Sequence, residues 1–197
     1  MNEKKERILK KKFFEREPDK VAKELLGKKF VRKIKDKTLS GIIVETEAYF
    51  GEDDPASRAY RKKSALFYNK MASKPGTLLI YMVHNNFLLN IISHKNGEVG
   101  AVLIRAVEPV EGIDIMKKQR KREKIKELAS GPGKFTQSFK IDKKQDGIDI
   151  TSEKSEIYIL DEKREVKIKT SKRIGVKKDM KRNLRFFIDG NEFVSKK

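Results

Sequence analysis

Glu45, Glu47 and Tyr49 occupy alternate positions in the stretch GIIVETEAYF (41–50). In a strand, alternate residues share a face, so two carboxylates and a phenol follow one another on one surface at spacings of about 7 Å. Strict alternation places Ile42, Val44, Thr46, Ala48 and Phe50 on the opposite, core-facing side and Ile43 beside the glutamates. Two carboxylates on one face suit general acid–base work, while a lysine pair is the plainer use for either one. Arg105 lies in AVLIRAVEP, an otherwise apolar strand run. A guanidinium there requires an anion, either a carboxylate to orient or a phosphate to clamp. Tyr49 and Tyr81 read as half-buried strand aromatics or, beside a basic surface, as platforms on which a base stacks.

Composition narrows the chemistry. The chain has 197 residues and no cysteine, which excludes disulfides, thiol catalysis, iron–sulfur clusters and ordinary zinc sites. His84 and His94 are too few for a histidine-rich metal centre. Lys and Arg number 48 against 29 Asp and Glu, a net charge of +19. A Lys/Glu-rich proteome raises both signs together and leaves that imbalance unexplained, so a polyanionic partner, nucleic acid, is the better reading. No apolar run reaches membrane-span length and no signal-peptide core is visible. The chain therefore reads as a non-secreted protein, cytoplasmic or nucleoid-associated in a prokaryote and nuclear otherwise.

The elements that position these residues follow from local signals. Residues 1–17 form a basic arm or docking helix, followed by a single domain over 18–197. Pro18-Asp19 starts a helix that Gly27 stops. KKFVRKIKDKTLSG delivers the chain as strand and turn into GIIVETEAYF. GEDDPASRAYRKK is a loop, and Ser64–Met71 is a short helix or irregular. Thr77–Val83 and Phe87–Ser93 are strands joined at His84-Asn85-Asn86, where asparagine tolerates positive φ. Gly112–Lys126 has a helical pattern whose tail, KKQRKREKIK, either tracks phosphates or is simply solvated. Gly131-Pro132-Gly133 precedes a helix whose N-terminus, with Lys134, suits a phosphate. Residues 142–168 read as strands around Asp146-Gly147. RIGV (173–176) stands as a short motif, and LRFFIDG closes the chain as a strand.

VETEAYFGEDDPAS, KPGTLLIYM with Asn90 downstream, LIRAVEPVEG, ELASGPGKFTQSF and the closing RIGV and LRFFI occur in one order and spacing. Together, over about residues 20–194, they resemble the alkyladenine (3-methyladenine/methylpurine) DNA glycosylases. The resemblance implies an α+β fold, a single mixed domain with a curved antiparallel β-sheet core, surrounding helices and a protruding, DNA-inserting β-hairpin. It implies a monofunctional enzyme that flips a damaged purine, alkylated or deaminated as in hypoxanthine, out of double-stranded DNA. Hydrolysis of the N-glycosidic bond leaves an abasic site. Glu47 matches the carboxylate that activates water, and Arg105 the arginine that helps hold it. Tyr49 and Tyr81 match the aromatics that sandwich the base, and Asn90 the asparagine that screens its edge. No metal or cofactor is required, and a monomer is expected.

Two positions depart from the family pattern. Arg58 follows DPAS where a histidine is usual, exchanging a group that can accept a hydrogen bond for one that only donates. It belongs to the base pocket or binds a phosphate. His84, followed by Asn85, stands at the hairpin tip where a tyrosine usually wedges into the duplex. Lys134 is assigned to backbone contact. The rival readings are a relative retuned to another modified base and a catalytically silent basic nucleic-acid-binding module on the same scaffold.

Overall fold

The computed structural model describes residues 7–162 and 164–196. Among them run α1 (Lys11–Phe14), α2 (Pro18–Leu25), β1 (Lys29–Ile34), β2 (Lys37–Phe50), α3 (Ala65–Met71), β3 (Leu78–Val83), β4 (Asn86–Ile92), β5 (Gly100–Glu111), α4 (Ile113–Arg120), α5 (Pro132–Ser138), β6 (Ile157–Leu160), β7 (Ile168–Ser171) and β8 (Arg185–Ile188). The strands form one eight-stranded sheet in the order β3-β4-β5-β2-β1-β6, with β8 joining β2 to β7. Every pairing is antiparallel. This is the expected α+β domain. No described helix is long and apolar enough to cross a membrane.

β2 is the axis. Its first half pairs with β1, its Glu45–Glu47 segment with β8, and its other edge with β5. The helix before it is anchored to it: Gly27 takes φ +82°, which suits glycine, and donates its N–H to Ile43 O at 2.9 Å. β5 lies so close that a Cβ on Gly41 would stand 2.4 Å from Val107 Cγ1, so a side chain there would part the two central strands.

The strict alternation expected of β2 does not hold. The β2–β5 register shifts on either side of Glu45, the signature of a bulge. Ile43 therefore packs in the main core with α2, in company with Ala48, and Thr46 Oγ1 donates to Ala22 O at 2.8 Å. Ile42 and Val44 instead form a separate cluster with Ala106. The extra residue exchanges the faces upstream of Glu45 but keeps Glu45, Glu47 and Tyr49 in phase.

Other expectations need shortening. The helix expected over Gly112–Lys126 stops at Arg120, where Lys121 turns left-handed with φ +50°. The strands expected over 142–168 reduce to β6 and the start of β7. Around Asp146 the chain makes a 3-10 turn instead, capped by the Asp142 side chain and Gln145. The β3–β4 hairpin forms as expected: Val83 pairs with Asn86, and His84 and Asn85 both take positive φ, as a two-residue type I′ turn requires. Of the 1–17 arm, residues 1–6 lie outside the described residues. The rest packs onto the domain, with Leu9 N–H bonded to Ile159 O and Phe14 fully buried.

Beneath the sheet, Phe30 of β1 meets Phe135 of α5 and Phe139, the residue that caps it, edge-on at 5.0 and 5.5 Å. That packing fixes α5, whose N-terminal end borders the site, against the sheet.

Candidate active site

Glu47 is fully buried in a central strand, yet every oxygen has a donor. Oε1 accepts from the Ile174 N–H at 2.7 Å and lies 3.3 Å from Arg105 Nη1, and Oε2 accepts from Tyr49 OH at 2.8 Å. Burial nevertheless dominates and pushes its carboxyl above the usual range, against the pull of Arg105, the Ile174 amide and Tyr49. Glu45 is buried as deeply, but its carboxyl stays below the usual range. Burial opposes this, and the Arg105 charge, the Arg185 hydrogen bond and the Ser195 donors outweigh it. The two neighbouring carboxylates are thus driven apart, Glu47 toward higher proton affinity and Glu45 toward lower.

Tyr49, Arg105 and Ile174 touch the Glu47 carboxylate and also face a cavity of about 660 Å³. That volume suits a small-molecule-sized guest such as an extruded nucleoside. Tyr81 of β3 and Asn90 of β4 line it. Asn90 is buried, and its Nδ2 donates to Leu79 O at 3.3 Å. Burial raises both tyrosine phenols, Tyr49 well above its ordinary value, so each is a neutral hydroxyl. Arg58 also lines the cavity, its guanidinium 5.2 Å from the Tyr81 ring centre and 5.3 Å from that of Phe67. At the rim stand His84 and Lys134, both exposed. Asn85 sits on the exposed turn beside His84 but is not part of the cavity wall.

The hairpin and α5 are tied together at this rim. Gln137 Nε2 donates to Asn86 Oδ1 at 2.8 Å, Arg120 donates to Gln137 Oε1, and Thr136 Oγ1 donates to Phe87 O at 2.8 Å. A Cβ on Gly133 would come within 2.7 Å of Asn86 Oδ1, so glycine permits this approach.

Residues 12–192 match the family described as Methylpurine-DNA glycosylase (MPG). The chain belongs to this family. Relatives bearing the name "Putative 3-methyladenine DNA glycosylase" include a protein of Clostridium perfringens (strain SM101 / Type A), 42% identical over 200 residues covering 94% of this chain and 97% of the relative. Another, from Aeropyrum pernix, is 37% identical over 193 residues, covering 96% and 94%. A third, from Chlorobium phaeobacteroides, is 40% identical over 194 residues, covering 96% and 97%. Membership makes the chain an N-glycosylase acting on methylated purines in DNA, and damaged DNA its substrate.

Several supports of this candidate site carry little or no signal in the sequence. Arg173 is wholly buried, bound to Asp54 through two contacts of 2.6 Å and to Asp179 at 2.7 Å, and its guanidinium lies 4.6 Å from the Tyr49 ring centre. It anchors RIGV so that the next residue, Ile174, presents its N–H to Glu47. Arg185 of β8 binds Glu45 Oε1 at 2.7 Å. Arg185 had the same signal as Arg105, an arginine beside an apolar strand run (LRFFI), and the same argument applied to it would have found it. Asp54 and Asp179 had none, since both lie in turn-rich polar segments.

Proposed function

We propose that the enzyme hydrolyses the N-glycosidic bond of a flipped, damaged purine nucleotide with Glu47 as general base. The single observation that supports this most is a buried carboxylate of raised basicity behind a cavity of about 660 Å³ walled by two neutral tyrosines. The sugar carbon is inaccessible within the stack, so the nucleotide is extruded and its base is stacked between Tyr49 and Tyr81. Water held where Arg105 and the Ile174 peptide meet the cavity gives its proton to Glu47 and attacks an oxocarbenium-like sugar. Arg105 orients the carboxylate. Asn90 and Arg58 read the purine edge. His84 and Asn85 enter the space left in the duplex, and Lys134 meets a phosphate. The enzyme acts as a monomer, without metal or cofactor, and leaves an abasic site without cutting the strand. The decisive assay incubates the protein and EDTA with duplexes containing a methylated purine or hypoxanthine and scores abasic sites. Lesion-independent binding without base release would instead support the silent binding module.

Charge at the pocket bears on which lesions are taken. Glu45 and Glu47 pair with Arg105 and Arg185, and Asp54 and Asp179 with Arg173. Arg58 has no carboxylate partner among the described residues, so its charge faces the guest uncompensated. A cationic 7-methylpurine nucleotide is repelled there, whereas a neutral lesion with a ring or carbonyl acceptor gains a donor. Arg58→Gln is therefore expected to shift the ratio of single-turnover rates, 7-methylguanine over hypoxanthine, upward by roughly tenfold, allowing for partial solvent screening. An unchanged ratio would place Arg58 on a phosphate instead.

At the tip, His84→Ala is expected to weaken retention of a lesion duplex by about 5- to 50-fold, the loss of one stacking side chain. Single-turnover chemistry at saturating enzyme should change by less than about threefold, because His84 touches none of the groups around Glu47. Titrating a lesion duplex and quenching single-turnover reactions separate the two effects. A rate loss as deep as that of Glu47→Gln would contradict this division.

A further inference from the structure

Glu45 is a buried ionisable group that the proposed reaction does not use. Its Oε1 accepts from Arg105 Nε at 2.9 Å, Arg185 Nε at 2.7 Å and Ser195 Oγ at 2.9 Å, and its Oε2 accepts from the Ser195 amide at 2.7 Å. Three separate parts of the chain thus converge on one carboxylate: β5, β8 and the segment after Asn191. That segment is seated by Phe193, which packs against the Ile42, Val44 and Ala106 cluster, while Arg185 also donates to Lys196 O. Arg105 is divided as a result. Its Nε is committed to Glu45, its Nη2 reaches Ser195 Oγ at 3.5 Å, and only Nη1 faces Glu47, at 3.3 Å.

We propose that Glu45 is a positioning residue that keeps Arg105 from closing fully on Glu47 and so leaves Glu47 free to act as a base, with Arg185 and Ser195 sharing the Glu45 charge and limiting how strongly it draws Arg105. A carboxylate in a close two-point arginine pair is stabilised as its anion and is a poor base. The same arginine anchored on a neighbouring anion orients the base without quenching it, and the Glu45 charge itself favours protonation of Glu47. Other groups do not offer this control. Tyr49 from β2 and Tyr81 from β3 are neutral, Arg173 is committed to Asp54 and Asp179, the Ile174 N–H carries no charge, and Arg185, opposite Glu47 in the β2–β8 register, is bound to Glu45. The inference rests on Glu47 being the base, but its test does not require activity.

The test follows the side-chain carboxyl carbon of Glu47 by NMR through a pH titration of the intact protein without DNA. Glu45→Gln removes a like charge and leaves Arg105 to Glu47 alone, so the Glu47 midpoint should fall by about one pH unit. Ser195→Ala removes a donor from Glu45 and the partner of Arg105 Nη2. Arg105 is then drawn toward Glu45, and the midpoint should rise by roughly half a unit. The acid limb of the single-turnover rate should move in the same two directions. Opposite shifts from two substitutions in one network are not produced by a merely structural loss. Should Glu45→Gln fail to fold, Arg185→Gln takes its place in the comparison, with an upward shift expected. Midpoints that stay put, or that depart from these signs, overturn the proposal. Base release with unshifted midpoints sinks the positioning role and leaves the enzyme reading intact. The expected shifts in a protein that releases no base do the reverse.

Discussion

Glu47→Gln is expected to lower the single-turnover rate of purine release by about a thousandfold, within the range of 10² to 10⁴ usual for removing a general base. Glutamine keeps the volume, its carbonyl oxygen can still accept from the Ile174 N–H, and its amide can donate to the Tyr49 oxygen, so the wall of the cavity is preserved. It cannot take a proton from water. The sign of the stability effect is separate and informative. Burial raises the folded-state carboxyl of Glu47 above the ordinary range, so its ionised form disfavours the fold at any pH above that range. A neutral amide removes this cost, while Arg105 keeps its closer partner Glu45 at 2.9 Å. The melting temperature at pH 7 should therefore hold or rise while activity collapses. In the parent enzyme the rate should climb with pH through the Glu47 midpoint, placing the acid limb above the ordinary carboxylate range. Quenched-flow base release and scanning calorimetry read both outcomes. Residual activity within tenfold of the parent would remove Glu47 from the base role.

Arg173→Met should have the largest effect on stability and a second effect on rate. Arg173 and Asp54 are both fully shielded, and the arginine also donates to Ala48 O at 2.9 Å. Its removal leaves Asp54 as an uncompensated buried charge, a loss of about 3–5 kcal/mol. For a chain of this size that corresponds to a fall in Tm of roughly 6–20 °C. The rate should fall by at least about tenfold, because the Ile174 N–H loses its anchor and Tyr49 the cation above its ring. Asp54→Asn added to Arg173→Met supplies a discriminating control. Asparagine removes the orphan charge, and its single carbonyl oxygen can still accept from one of the Phe50 and Ala56 amides, which Asp54 now holds through separate oxygens at 3.0 Å each. The double variant should recover several degrees of Tm without recovering rate. Recovery of both would mean that Arg173 serves only the fold, and recovery of neither would mean that the buried charge is not what destabilises the single variant.

Much of this site was legible from residue order because its parts are local. An alternating strand puts Glu45, Glu47 and Tyr49 in phase over five residues, and no distant contact is needed to see it. An arginine inside an apolar run announces a buried anion wherever the strand docks, which is why Arg105 was found and why Arg185 could have been. Two adjacent residues able to adopt positive φ between strand runs are enough to set the His84-Asn85 turn. Strongly periodic segments thus gave the sheet's main strands, and the family-wide motif order supplied the pocket residues Tyr81, Asn90 and Arg58.

What the sequence could not yield depends on contacts distant along the chain. The bulge at Glu45 arises from how β2 must pair with β5 on one edge and β8 on the other, and period alone cannot place an inserted residue. Asp54, Asp179 and Ser195 belong to turn-rich or terminal segments whose composition is that of any loop, and only folding brings them to Arg173 and Glu45. Most of all, residue order leaves Glu45 and Glu47 chemically equivalent, two carboxylates on one face. Their difference is a matter of which donors surround each. Glu45 gains two arginines and Ser195 and is held as an anion, while Glu47 gains one guanidinium at 3.3 Å, an amide and a phenol and is left the more basic. The chain by itself put two carboxylates in phase with Tyr49 and required a buried anion for Arg105. Which of the two carboxylates is left the more basic was decided by the tertiary fold, because desolvation and charge compensation are properties of neighbours in space.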